Sequence, residues 1–295
     1  MKIKFLFLPA ILAVFFSCNE KQVDGPVIPS AEAPIPVAIS MGLEAKVSDT
    51  EFDEGDEVAV YMVNYADARP GTLQTSGNHY DAWKYTFGSE WSADEPMYWL
   101  DHTTKVEFYC FHPYAVPSDI NACHFRTSAD QSTLAAYKAS DFVWGKTEGI
   151  APTKETVQIN TNHILSNIVI ILEPGDGFTA ESLAAAGLKV RVNDVLTEAV
   201  IDIADGSVYA TGATSDVTPY NEGGYYRAVI VPQTVADGSD LIVVIDGEDE
   251  YILKKGFTFR QGMKHRFTLK VNRLSNGINV GVGDWGEGEN VKDEI

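Results

Sequence analysis

Few side chains in this sequence are spaced for chemistry, and the first is a cysteine near the start. Ser17-Cys18-Asn19 follows an apolar run, residues 5–16, broken only by Pro9, with Lys2 and Lys4 ahead of it. A membrane-spanning helix needs about 20 apolar residues, so the run is too short to span. It has the form of a secretory signal peptide. A small residue directly before a cysteine suits a lipoprotein signal peptidase, which leaves that cysteine as the new amino terminus, acylated on sulfur. Phe15 and Phe16 stand where the usual cleavage box prefers Leu and a small residue. An ordinary signal peptide with a chance cysteine is the competing reading. The expectation is a lipoprotein signal peptide over 1–17 and a lipidation site at Cys18.

Cys110, His112, Cys123 and His124 have the donor types of a zinc site. Cys110 and His112 would share one face of a strand, but the adjacent Cys123 and His124 would point to opposite faces. No metal site is expected. Outside the cytoplasm Cys110 and Cys123 are candidates for a disulfide; two buried, inert thiols are the alternative. Gly145-Lys146-Thr147 resembles the end of a phosphate loop, but the loop's first Gly would fall at residue 140, which is Ser, and no helical pattern follows. Gly281-Val282-Gly283-Asp284-Trp285-Gly286 matches G-x-G-x-x-G literally, yet no helix or βαβ unit follows it. Neither H-E-x-x-H nor G-x-S-x-G occurs. His163 reads as structural. No carboxylate pair stands in an apolar strand-end setting that would suit general acid work. No catalytic residue and no cofactor is expected. An aromatic-dense segment holds Tyr80, Trp83, Tyr85, Trp91, Tyr98 and Trp99. Trp91 and Trp99 are the candidate ligand platform; a sandwich core is the bland account of the same residues.

The elements that carry these residues are strands. Residues 19–34 are rich in Pro, Glu, Asp and Gly, so 18–34 reads as a linker. Then Ile35, Val37, Ile39, Met41, Leu43 and Ala45 alternate without a break. Period 2 over that length predicts a half-buried strand, and Pro36 and Gly42 place it at a sheet edge. After a Gly55-Asp56 turn, 58–63 predicts a buried strand. Short strand-like runs recur at 81–87, 104–112, 141–144, 156–160, 163–172, 188–192, 199–203, 226–231, 241–245, 251–254 and 266–271. One helix is expected, capped by Thr179 and stopped by Gly187. The class is all-β, a sandwich or barrel. Pro174-Gly175-Asp176-Gly177 is the best internal boundary, giving parts 35–173 and 174–295. With 42 acidic against 22 basic residues and a net charge of −20, nucleic acid and anionic lipid surfaces are excluded as partners.

Taken in order, several stretches resemble the fimbrillin family of Bacteroidetes, the subunits of protease-assembled (type V) pili. They are the alternating first strand, Phe52-Asp53-Glu54-Gly55-Asp56-Glu57-Val58, Met97-Tyr98-Trp99 and 106–114. They continue with Asp130-Gln131-Ser132, Ser140-Asp141-Phe142, His163-Ile164-Leu165-Ser166-Asn167, 229–234 and Trp285. The resemblance implies two tandem transthyretin-like β-sandwich domains, export as an outer-membrane lipoprotein, proteolytic removal of the first strand, and polymerisation by donor-strand exchange with other subunits. The cut would fall in the charged break after the strand, at Lys46-Val47. Family members usually carry Arg there, and no Arg precedes Arg69. Ile278, Val280 and Val282 alternate briefly, but 286–295 is rich in Gly and acid and makes a poor donor strand. The expectation is an acceptor without a donor, a tip or minor subunit of a cell-surface fimbrium. The alternatives are a non-polymerising surface lipoprotein that binds a glycan or a host protein, and a sandwich hydrolase for which no constellation is assembled.

Overall fold

The computed structural model describes residues 33–43, 52–274, 277–282 and 289–290. Cys18, Ala45, Lys46, Val47, Trp285 and most of 286–295 lie outside the described residues. In chain order the elements are β1 (Ile39–Leu43), β2 (Glu57–Asn64), β3 (Tyr80–Phe87), β4 (Trp91–Ser92), β5 (Val106–His112), β6 (Cys123–Arg126), α1 (Leu134–Ala139), β7 (Val143–Ile150), β8 (Val157–His163) and β9 (Ser166–Pro174). There follow α2 (Ala180–Ala185), β10 (Lys189–Ile201), β11 (Val208–Val217), β12 (Tyr220–Glu222), β13 (Tyr225–Ile230), β14 (Gln233–Val235), β15 (Asp240–Asp246), β16 (Asp249–Lys254), β17 (Phe257–Phe259), β18 (Met263–Leu274), β19 (Gly277–Val282) and β20 (Glu289–Asn290). The fold is all-β, as expected.

The first sheet has the order β1-β8-β7-β5-β2-β3-β4. Its strands β2 and β5 are near-continuous apolar runs because both faces are covered. Along β2, Val58, Val60 and Met62 enter one core, while Ala59, Tyr61 and Val63 enter another. The turn into β2 needs Gly55: it sits at φ 96°, a conformation that favours glycine. Its N–H donates to Phe87 O at 2.8 Å.

β1 is the edge strand, paired parallel to β8 from Ile39↔Val157 to Leu43↔Thr161. Just before it the chain pairs with the 97–99 stretch. Val37 N–H donates to Met97 O at 2.9 Å and Trp99 N–H to Ile35 O at 3.0 Å. Pro36, which has no N–H, sits between those two bonds and costs the ladder nothing. Ile35, Val37, Ile39 and Met41 are buried, so the alternation selects the inner face.

In the second half, β9 lies between β13, antiparallel, and β18, parallel. β19 extends that sheet along β18. The facing sheet runs β11-β10-β15-β16. Ile168, Ile170, Phe267 and Leu269 from one sheet meet Val190, Val192, Ile242 and Val244 from the other, a β-sandwich core. Thr179 caps α2 in a reciprocal capping box with Ser182.

The two halves interleave. One edge of β10 is shared by β15, at 189–192, and by β6 from the first half, at 198–201. β9 ends at Pro174, but both its sheet partners come after that residue, so sheet membership changes before Ser166. A middle core joins Tyr61, Tyr109 and Phe111 to Ala199, Ile201 and Val231. Beside it, Gln131 is fully buried and acts as one more strand partner for Val229. It accepts from Val229 N–H at 2.8 Å and donates to Val229 O at 2.9 Å.

Candidate functional site

Strand ends gather at one end of the first sheet around a cavity of about 620 Å³. Leu43 ends β1, His112 ends β5, and His163 ends β8; Phe52 and Asp53 precede β2, and Asp141 precedes β7. Tyr137 and Lys138 of α1 close one side, and Ser166 and Asn167 at the start of β9 form the floor with Val229. Thr133 fixes α1 by accepting from Ala136 N–H at 3.2 Å.

The charged groups of this cavity are already engaged. His163 Nδ1 bonds to Asp141 Oδ2. Burial opposes ionisation of Asp141, but His163 and the Phe142 N–H outweigh it and hold the carboxyl below its usual range. Lys138 pairs with Asp53, and Asp53 N–H donates to Asp56 Oδ2 at 2.8 Å. His112 Nδ1 lies 2.9 Å from Glu57 O. Two neutral groups on the floor behave differently. Ser166 is completely buried, and neither its Oγ nor Asn167 Oδ1 has a hydrogen-bond partner. Asn167 spends its Nδ2 on Tyr137 Oη at 2.6 Å. A buried polar group without a partner costs about 1–3 kcal/mol. Ser166, His163 and Asp141 share the cavity, but Ser166 Oγ makes no hydrogen bond to the imidazole, so no activated nucleophile is assembled.

The other sequence-singled residues are placed as follows. Trp91 and Trp99 form no surface platform. Trp99 is 4% exposed, in the core against Phe108, with its indole N–H on Thr153 O at 3.1 Å. Trp91 packs on Phe52 and donates to Met41 O at 2.9 Å. With Thr161 Oγ1, which donates to Gly42 O at 3.1 Å, Trp91 holds the first strand. The candidate disulfide is not formed, and the alternative of two buried thiols holds: Cys110 and Cys123 are both free and buried. Cys110 faces the core that contains the first strand, 3.0 Å from Met41 Sδ, whereas Cys123 lies in the middle core on β6, a strand outside the runs predicted from the sequence. The sheet separates them.

Gly145 belongs to a strand crossing. A Cβ there would sit 2.3 Å from Asn160 O, so β7 and β8 approach only because it is glycine. Lys146 beside it pairs with Glu148 at 2.7 Å and lies over the Tyr109 ring. Among the described residues no cluster of three metal-ligating side chains occurs. His163, read from sequence as structural, is a cavity residue. The signal that would have shown it is its strand-end position opposite Val143, two residues beyond Asp141, which only the β7–β8 register reveals.

The sequence model of the fimbrillin-like family matches residues 45–285. The chain belongs to the fimbrillin-like family. Among solved structures, this fimbrillin is similar to a Bacteroides uniformis protein assigned to cell adhesion, at 20% identity and a TM-score of 0.65, over 87% of this chain and 98% of that one. A Bacteroides ovatus protein with the same assignment is similar at 14% identity and a TM-score of 0.66, over 85% and 97% of the two chains. At these identities the likeness is one of fold. No curated protein matches the sequence.

Proposed function

We propose that this fimbrillin is a structural and adhesive subunit of a cell-surface fimbrium, at a tip or minor position, which accepts a donor strand once its own first strand is removed. It has no enzymatic role. The observation that carries the reading is the first strand itself. It lies at a sheet edge, and its Ile35, Val37, Ile39 and Met41 are buried in one core. Burying four such side chains contributes about 6–12 kcal/mol. Loss of the strand would expose Val157, Ile159, Met97 and Trp99 and leave the β8 edge unpaired, a template for a strand from another subunit. At the other end, β19 is taken up in its own chain's sheet against β18, and Ile278 is buried there. That supports an acceptor without a free donor strand.

Cys18 is then a transit anchor to the outer membrane, and a cut at Lys46-Val47 would free the body and open its groove together. We read the body as two tandem sandwich modules, 35–173 and 174–295, with β9 lent across the boundary. Mass spectrometry of subunits sheared from cell-surface filaments tests the route: copies should begin at Val47. Copies that all begin at acylated Cys18 would refute it. A second reading, a non-polymerising surface lipoprotein that binds a glycan or host protein, is favoured by the cavity.

A further inference from the structure

We propose that the cavity at the end of the first sheet is the terminal pocket of the groove that the first strand vacates. It takes a large apolar side chain from the incoming donor strand, at the donor residue that comes to lie opposite His163. The proposal rests on the strand-exchange reading above and deepens it, because it names what the donor must carry.

The strand register makes groove and cavity continuous. Ile39, Met41 and Leu43 of β1 lie opposite Val157, Ile159 and Thr161 of β8. The next β8 residue on that face is His163, which lines the cavity. The neighbouring strands repeat the step. On that face β7 goes from Gly145 to Val143 and β5 from Cys110 to His112, and Val143 and His112 also line the cavity. Leu43 belongs to both spaces, as the last residue of β1 and a cavity wall. So does Phe52, packed on the first-strand core and against His112, with ring centroids 5.9 Å apart. A cut at Lys46-Val47 takes Leu43 away and keeps Phe52. In the alternation of the sequence, the next inward residue after Leu43 is Ala45, which offers only a methyl group. The cavity measures about 620 Å³, whereas about 150 Å³ already holds a benzene ring. The walls set the character of the side chain. Pro113, Val143 and Leu165 are apolar, Asp141 is engaged by His163, and Lys138 by Asp53. A charged side chain would have to break a pair or enter without a partner. A donor with a large apolar residue there buries surface that the resident strand does not, so it outcompetes that strand and gives exchange a direction.

The test uses the full chain with a site-specific protease sequence inserted after Lys46, cut once and with its first strand left in place. Labelled peptides of residues 33–45 compete with that strand, and fluorescence anisotropy reads their entry. The peptide with Ala45→Phe should bind at least about tenfold more tightly than the unsubstituted peptide. Glu44→Phe, on the opposite face of the alternation, should bring no gain, and neither should Ala45→Asp. A benzoylphenylalanine in place of Ala45 should crosslink to Phe52, Tyr137 or Leu165, as mapped by mass spectrometry. The pocket is overturned if Ala45→Phe binds no more tightly than the unsubstituted peptide, if Glu44→Phe or Ala45→Asp gains as much, or if the crosslinks fall only outside the cavity. Entry of the unsubstituted peptide without a gain from Ala45→Phe sinks the pocket alone. A cut chain that admits no peptide at all sinks strand exchange and the pocket with it.

Discussion

Removal of the first strand has a size that the structure sets. A chain that begins at Val47 lacks Ile35, Val37, Ile39 and Met41, which are 5–8% exposed, and with them the bonds to Met97, Trp99 and Val157. The apolar loss alone is about 6–12 kcal/mol, against a whole-domain stability of about 5–15 kcal/mol. For a protein of this size each kcal/mol moves Tm by about 2–4 °C, so the truncated chain should melt at least about 12 °C below the full chain. A synthetic peptide of residues 33–45 should restore part of the lost stability and bind with a Kd of about 1 μM at the tightest, because an association cost of at least about 4 kcal/mol leaves no more than about 8 kcal/mol of the gross burial energy. The same peptide with Ile39→Asp and Met41→Asp should not bind, because both positions point into the core. Differential scanning calorimetry and fluorescence anisotropy of the labelled peptide read both effects. A truncated chain that melts with the full chain and ignores the peptide would show that the first strand is not what fills this core.

Two further predictions concern buried groups. His265 is 1% exposed and packed against Phe257, its Nε2 accepts from Arg260 N–H at 3.0 Å, and its Nδ1 has no partner. Burial, with Arg260 nearby, pushes it down to about 4. The unfolded chain therefore takes up a proton that the folded one refuses as pH falls from 6.5 towards 4, and stability drops by about 3 kcal/mol over that window. Urea melts at pH 7 and 4.5 should show that drop in the wild type and its absence in His265→Leu; equal pH dependence in both would contradict it. Cys110 and Cys123 are 0% and 4% exposed, and burial pushes the Cys123 thiol up to about 11 and the Cys110 thiol higher still. Neither should react with a thiol reagent in native buffer, and both should react in urea without reductant; unreactive sulfur in urea would mean that they are bridged.

The all-β class was legible because period 2 and turn residues recur along the whole chain. The first strand was the clearest case, with Ile35 to Met41 buried as the alternation requires. Local chemistry also placed α2, since Thr179 and Gly187 punctuate it. Elements whose reason is tertiary were missed. β6 (Cys123–Arg126) is a strand only because β10 offers it an edge from 72 residues further on, as Glu198↔Arg126 shows. α1 is only 6 residues long, and Thr133 was its sole signal. The tryptophans misled because aromatic density reads the same for a platform and for a core; the bonds from Trp91 to Met41 and from Trp99 to Thr153 decide between them. The cavity was out of reach for the same reason. Ser166 and Asn167 are ordinary strand residues until β13, β18 and α1 close around them.

The central claim is that the β8 edge gives up its own first strand and pairs instead with a donor strand from another subunit. Hydrogen exchange on assembled filaments measures this directly. If the claim holds, peptides from 35–43 are missing, while the amides of β8 that pair with β1, Val157 N–H to Ala38 O among them, stay as protected as in the precursor. Filaments in which residues 35–43 are still present and protected, or in which the β8 amides exchange freely, would contradict it.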